Sequence, residues 1–151
     1  MAERPLREHL VLLLSIAGHV SKQTQEQRLA ELDLSVREQV TLTAIAEGAP
    51  TQLAIGRKAG LDKSTLTPVL DQLERKGLID RHPDPDDRRA RVVTVTDVGR
   101  RSLAGSGQAV AETEEDLLNA LSPDERRQFR SLLQRVVEEG MSNRSVPGSC
   151  L

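Results

Sequence analysis

Lys63, Ser64, Thr65 and Thr67 set one long cation and three short hydroxyls side by side, the groups that meet base edges and phosphate oxygens when a helix enters a major groove. Further along, Arg88, Arg89 and Arg91 cluster at a turn rich in Pro and Asp. Extended guanidinium groups there suit the negative potential of an adjacent minor groove. Asp86 and Asp87 beside them would repel DNA unless they pair with these arginines, so Asp87 is expected to orient them. Residues 51–101 hold 11 Lys and Arg against 8 Asp and Glu, net +3, while the remainder holds 10 against 15, net −5. The whole-chain charge of −2 therefore averages a basic patch with an acidic scaffold.

The elements that would carry these side chains follow from caps and breaks. Thr51 starts a short helix through Lys58, and Gly60 stops it. Asp62 caps the next, whose apolar side is Leu66, Val69, Leu70 and Leu73, and Gly77 closes it. Two helices joined by a three- or four-residue turn make a helix-turn-helix, whose second helix reads DNA. Pro68 removes the bond to the Ser64 carbonyl, so a kink or a displaced first turn is expected. Leu78 to Arg81 and Arg91 to Thr96 read as two strands around HPDPDDRRA, a wing.

Around this lobe lie helices with apolar stripes. Leu6, Leu10, Leu13, Leu14, Ala17 and Val20 recur at helical spacing from Leu6 to about Ala30. Ser35 and Glu38 form a capping box for a helix over Val36 to Glu47, which the Gly48-Ala49-Pro50 break ends. Thr96 caps a long helix from Asp97 to Leu121, weakened in its middle by Gly105 and Gly107. Ser122-Pro123-Asp124-Glu125 is the strongest helix start in the chain, followed by the stripe Phe129, Leu132, Leu133, Val136 and Val137 up to Gly140. The class is mainly α with a small β-wing. The divisions are an N-terminal helix and linker over 1–34, a winged lobe over 35–100, further helices over 101–140 and a flexible tail over 141–151.

Composition excludes several classes. Phe129 is the only Phe, Tyr or Trp, so no aromatic platform for stacking single-stranded bases exists. A single cysteine, Cys150, excludes an intramolecular disulfide and a multi-thiolate zinc site, which suits a reducing cytoplasm. No activating base is visible beside it, and it is read as incidental. No stretch approaches the roughly 20 apolar residues of a membrane span. Arg4 and Arg7 before Leu10 to Leu14, with Ser15-Ile16-Ala17, imitate a signal peptide, but Glu3, Glu8 and His9 dilute the basic leader and the apolar run is short. His82, Asp84, Asp86 and Asp87 could instead bind a divalent metal in a hydrolase, but the flanking prolines and arginines supply neither a cleft nor organised partners. No cofactor, metal or enzymatic activity is expected. A winged module that binds DNA or protein constitutively, with no effector, is the remaining alternative.

The run LDKSTLTPVLDQLERKGLIDRHPDPDDRRARVVTVTDVGRRSL resembles the multiple-antibiotic-resistance regulator (MarR) family. Its signature joins a recognition helix ending in Leu-Glu-x-x-Gly-Leu to a wing bearing Asp-x-Arg and a following Thr-x-x-Gly, matched here by Leu73, Glu74, Gly77, Leu78, Asp87, Arg89, Thr96 and Gly99. The resemblance extends from about Leu6 to Val137. It implies a homodimer in which the first, fifth and sixth helices interlock, with Leu6, Leu10, Leu13, Leu117, Phe129, Leu132, Leu133 and Val136 in the seam. It also implies repression relieved by a ligand or oxidant. A two-fold protein then needs a pseudo-palindromic operator with half-sites about one helical turn apart.

Gly60 to Pro68 looks most like the organic-hydroperoxide-sensing branch, which tolerates Pro there and senses through a cysteine in the first helix supported by tyrosines. Val11 stands in that cysteine's place and the chain has no Tyr, so thiol sensing at that position is lost. The family's effector cleft, between the dimer helices and the DNA-binding lobe, implies a small anionic aromatic ligand. His9, Ser15, His19 and Arg37, bordered by Leu13, Leu14 and Val40, are the candidate contacts. His9 and His19 lie about 15 Å apart along one helix, so a small ligand meets at most one.

Overall fold

The computed structural model describes residues 5–140. A 3-10 turn over Leu6–Glu8 leads into α1 (Leu10–Ala30), followed by α2 (Val36–Ala46), α3 (Gln52–Ala59) and α4 (Lys63–Arg75). A hairpin of β1 (Ile79–Pro83) and β2 (Arg91–Val95) comes next, then α5 (Asp97–Leu117), α6 (Pro123–Arg135) and a π-helical turn over Val136–Gly140. The architecture is mostly helical with a two-stranded wing. The tail and Cys150 lie outside the described residues.

The capping logic accounts for most starts. Ser35 and Glu38 close a reciprocal box on α2, as do Ser122 and Glu125 on α6. Thr51, Asp62 and Thr96 each accept a backbone N–H in the first turn of α3, α4 and α5. The core sits in the winged lobe: Leu42 and Ile45 of α2, Ile55 of α3, and Leu66, Leu70 and Leu73 of α4 pack with Leu78, Ile79 and Val93 of the wing's root. The hairpin is antiparallel, with Ile79 opposite Val95 and Pro83 opposite Arg91. Val93 N–H also donates to the Pro50 carbonyl at 2.9 Å, stitching the wing to the segment before α3.

Several boundaries differ from the sequence reading. The first helix does not run unbroken from Leu6, because His9 takes an extended conformation and caps α1. α2 ends at Ala46, one residue short. β1 starts at Ile79 and reaches Pro83, further than the expected Arg81; in a two-stranded ribbon Pro83 is on an edge where a missing N–H is tolerated. β2 ends at Val95, freeing Thr96 to cap α5. α5 stops at Leu117 instead of Leu121: its last turn carries Glu114, Glu115 and Asp116 and no basic residue, which opposes the negative end of the helix dipole. α4 runs from Lys63 to Arg75 as one helix with Pro68 inside it. Gly105 and Gly107 likewise leave α5 uninterrupted, and Gly105 lies against Leu32 of the α1–α2 turn.

α1 and α6 bury almost nothing of themselves. Leu29 is the only buried residue of α1, and α6 has none. Leu6, Leu10, Val11, Leu13, Leu14 and Ile16 at one end of the chain, and Leu117, Phe129, Leu132, Leu133, Val136 and Val137 at the other, are exposed in the single subunit. That much apolar surface exceeds what isolated soluble subunits usually show to water and marks an association face. α1 is held to α5 by Arg28, which donates to Thr113 Oγ1 at 3.0 Å and pairs with Asp116.

Candidate nucleic-acid interface

The reading helix is braced from both sides. Asp62 accepts the Thr65 backbone N–H at 2.8 Å and the Ser64 hydroxyl at 2.6 Å, while its second oxygen takes the Thr65 hydroxyl at 3.1 Å. Thr67 donates its hydroxyl proton to the Lys63 carbonyl at 2.9 Å and accepts the Gln52 side-chain amide of α3 at 2.8 Å. Lys63, Ser64 and Thr67 are exposed and Thr65 is half-buried. Arg57 of α3 and Lys63 of α4 both line a 750 Å³ open groove between the two helices, adding a second cation to this face.

The positive end of α4 is already occupied by the Asp62 carboxylate, so the helix dipole offers little to a phosphate.

Further cations stand on the wing. Arg88, Arg89 and Arg91 are exposed. Asp87 accepts the Arg89 backbone N–H at 2.9 Å and Asp84 accepts that of Asp86 at 2.8 Å, so the acidic residues shape the turn through its main chain. Ala90 N–H to the Asp87 carbonyl at 2.9 Å and Asp84 N–H to the Ala90 carbonyl at 3.0 Å close the loop. Asp87 thus fixes where the Arg89 side chain starts. Asp84 and Asp86 lie in the same turn and His82 on β1 before it, and no group of three or more metal-ligating side chains exists among the described residues.

Arg81 escaped the sequence reading. From β1 it reaches back to α4, donating to Asp71 at 2.6 Å and lying 3.4 Å from Glu74. These contacts set the wing's angle against the reading helix. The signal was its position two residues after buried Ile79, on the same strand face.

The four candidate effector contacts are not brought together in one subunit. Arg37 lines a 560 Å³ cavity with Lys22, Glu26, Ser35, Glu38 and Lys76, which holds none of His9, Ser15 or His19. Arg37 follows the C-terminal end of α1, about 30 Å along its axis from His9 at the other end. Ser15 turns its hydroxyl onto the Val11 carbonyl at 2.9 Å, and His19 is exposed.

The fold is that of a winged helix-turn-helix protein. Residues 34–90 match the model of the MarR family. Solved structures agree over nearly the whole chain. CouR from Rhodococcus jostii RHA1, bound to p-coumaroyl-CoA, is 27% identical with a TM-score of 0.78 over 89% of this chain and 95% of its own. PcaV from Streptomyces coelicolor with its natural ligand is 29% identical, TM-score 0.75, over 93% and 99%. A mutant MarR from E. coli complexed with operator DNA is 25% identical, TM-score 0.76, over 89% and 99%. Over residues 34–90 the winged lobe is similar to the MarR family, and these solved structures share its fold. No helix among the described residues is long and apolar enough to cross a membrane.

Proposed function

We propose that this protein is a homodimeric repressor that binds a pseudo-palindromic site on duplex DNA and is released by a small anionic aromatic ligand. The observation that carries the reading is the set of three exposed arginines on a hairpin that Arg81 locks to the recognition helix. Lys63, Ser64, Thr65 and Thr67 enter the major groove, and Arg88, Arg89 and Arg91 reach the neighbouring backbone and minor groove, with Asp87 placing Arg89. The segments before residue 35 and from 101 to 140 join two subunits through their exposed leucine faces, leaving the lobe over 35–100 to read. Operator DNA bound to the related MarR, and ligands bound to CouR and PcaV, support the same assignment.

Selecting bound fragments from a random duplex pool tests it directly. A two-fold symmetric motif with half-sites about one helical turn apart is expected. On that motif Arg89→Ala should weaken binding and flatten the logarithmic salt slope by about 0.9, one phosphate-equivalent. A pool with no enriched sequence removes the DNA-reading function. Enrichment that no aromatic carboxylate reverses leaves a constitutive binder.

A further inference from the structure

All three hydroxyl protons at the start of the recognition helix point inward. Ser64 and Thr65 donate to the Asp62 carboxylate, and Thr67 donates to the Lys63 carbonyl. Carboxylate and carbonyl oxygens carry no proton, so the direction of each bond is fixed by chemistry. Gln52 adds a donor to Thr67 from the other helix, leaving that oxygen one lone pair. A hydroxyl on a reading helix ordinarily serves base donors and base acceptors alike. In this arrangement Ser64 and Thr67 face outward as acceptors only.

Duplex DNA offers few groups that such an oxygen can meet. Phosphate oxygens, guanine O6 and N7, adenine N7 and thymine O4 are all acceptors. In the major groove the donors are the exocyclic amines, N6 of adenine and N4 of cytosine. Building on the DNA-reading function proposed above, we infer that Ser64 and Thr67 are specificity-determining residues that select adenine or cytosine amines. Asp62 and Gln52 are positioning residues that hold the two hydroxyls in this polarity. The two readers are three positions apart, so they share a helix face one turn apart and address neighbouring base pairs. Backbone affinity falls to Lys63 and the wing arginines, because the hydroxyls have no proton to give a phosphate.

The test uses the full-length dimer and the operator it selects. Each adenine of a half-site is replaced in turn by purine nucleoside lacking the 6-amino group, and each cytosine by its counterpart lacking the 4-amino group. Wild-type protein should lose roughly two- to tenfold in affinity at the amines that Ser64 and Thr67 accept from. Thr67→Val and Ser64→Ala should each abolish the extra loss at one of those positions while keeping the wild-type salt slope. Comparing protein and base changes as a cycle cancels the weakened base pairing of the analogue. If analogue penalties are the same for wild type and both variants, the acceptor role is overturned while sequence-specific binding stands. If wild type selects no operator, the underlying DNA-reading function fails instead. Should Thr67→Val not fold, Ser64→Ala decides by the same criterion.

Discussion

The ammonium of Lys76 lies 2.9 Å from a carboxylate oxygen of Glu38, joining the C-terminal end of the reading helix to the first turn of α2. Their side chains are 18% and 8% exposed. The same carboxylate accepts the Ser35 N–H at 2.8 Å, so one acidic group completes the capping box of α2 and anchors α4. Lys76 also donates to the Asp33 carbonyl at 2.5 Å, where Asp33 holds a left-handed φ of 54° at the α1–α2 turn. Three helices thus converge on one ammonium group.

Lys76→Met should therefore destabilise the lobe. Removing one partner of a buried pair costs roughly 3–5 kcal/mol, and about 2 kcal/mol is expected here because Glu38 keeps the Ser35 N–H and Lys76 is partly in water. Urea unfolding of Lys76→Met, Glu38→Gln and the double variant measures the coupling. Strict additivity would show that the pair contributes nothing beyond its separate contacts.

Gly99→Ala is expected to be more damaging. A Cβ built on Gly99 would fall 2.1 Å from the Leu78 carbonyl oxygen and 2.7 Å from Val95 Cγ1. The first obstacle is backbone, which no rotamer change relieves. Thr96 ties the same place together, accepting the Gly99 N–H at 3.0 Å and donating to the Gly77 carbonyl at 2.7 Å. Overpacking of this kind costs about 3 kcal/mol or more, so the variant should melt well below wild type or accumulate as insoluble chain. A melting temperature within a degree or two of wild type would mean that α5 can slide away from the wing at little cost.

Leu133→Asp tests the association face. Phe129, Leu132 and Leu133 are exposed on α6, which has no buried residue of its own, so its stability as a helix depends on what covers it. A carboxylate placed there would have to be desolvated on pairing, and the dimer should dissociate at micromolar concentration in sedimentation velocity. An undisturbed dimer would move the seam to another face.

The sequence made the caps and the lobe legible because those depend on neighbours within four residues. Ser35, Thr51, Asp62, Thr96 and Ser122 each accept a backbone N–H three positions later, a spacing visible in the chain itself. The motif residues acquire causes: Gly77 takes a φ of +69° that other residues resist, and Leu73 and Leu78 are buried beneath it. What stayed hidden depends on distance in sequence. The polarity of Thr67 is set by Gln52 across the helix turn, the wing's angle by Arg81 ten positions from Asp71, and the lobe's anchor by Lys76 far from Glu38. The early end of α5 was readable from its acidic last turn, but apolar spacing alone pointed past it. Arg37 in the first turn of α2 and His9 ahead of α1 are separated by the full length of α1, a distance that apolar spacing within one helix does not reveal.

Acid should loosen α6 before it unfolds the winged lobe. Glu125 accepts the Ser122 backbone N–H at 2.8 Å, and that bond, with the Ser122 side chain, holds its carboxyl below the ordinary glutamate value. A carboxyl whose pKa is lower in the folded chain stabilises that state fully at pH above its unfolded pKa. The contribution is lost as pH falls through the depressed folded value. Neutral solution therefore keeps the capping box intact, and protonation below the usual glutamate range removes the acceptor for Ser122. Glu125→Ala should lower α6 stability at neutral pH and leave a shallower acid limb in helicity or dimer dissociation, because the group that titrates is gone. Parallel acid limbs for wild type and variant would show that Glu125 plays no part in the pH response of the association face.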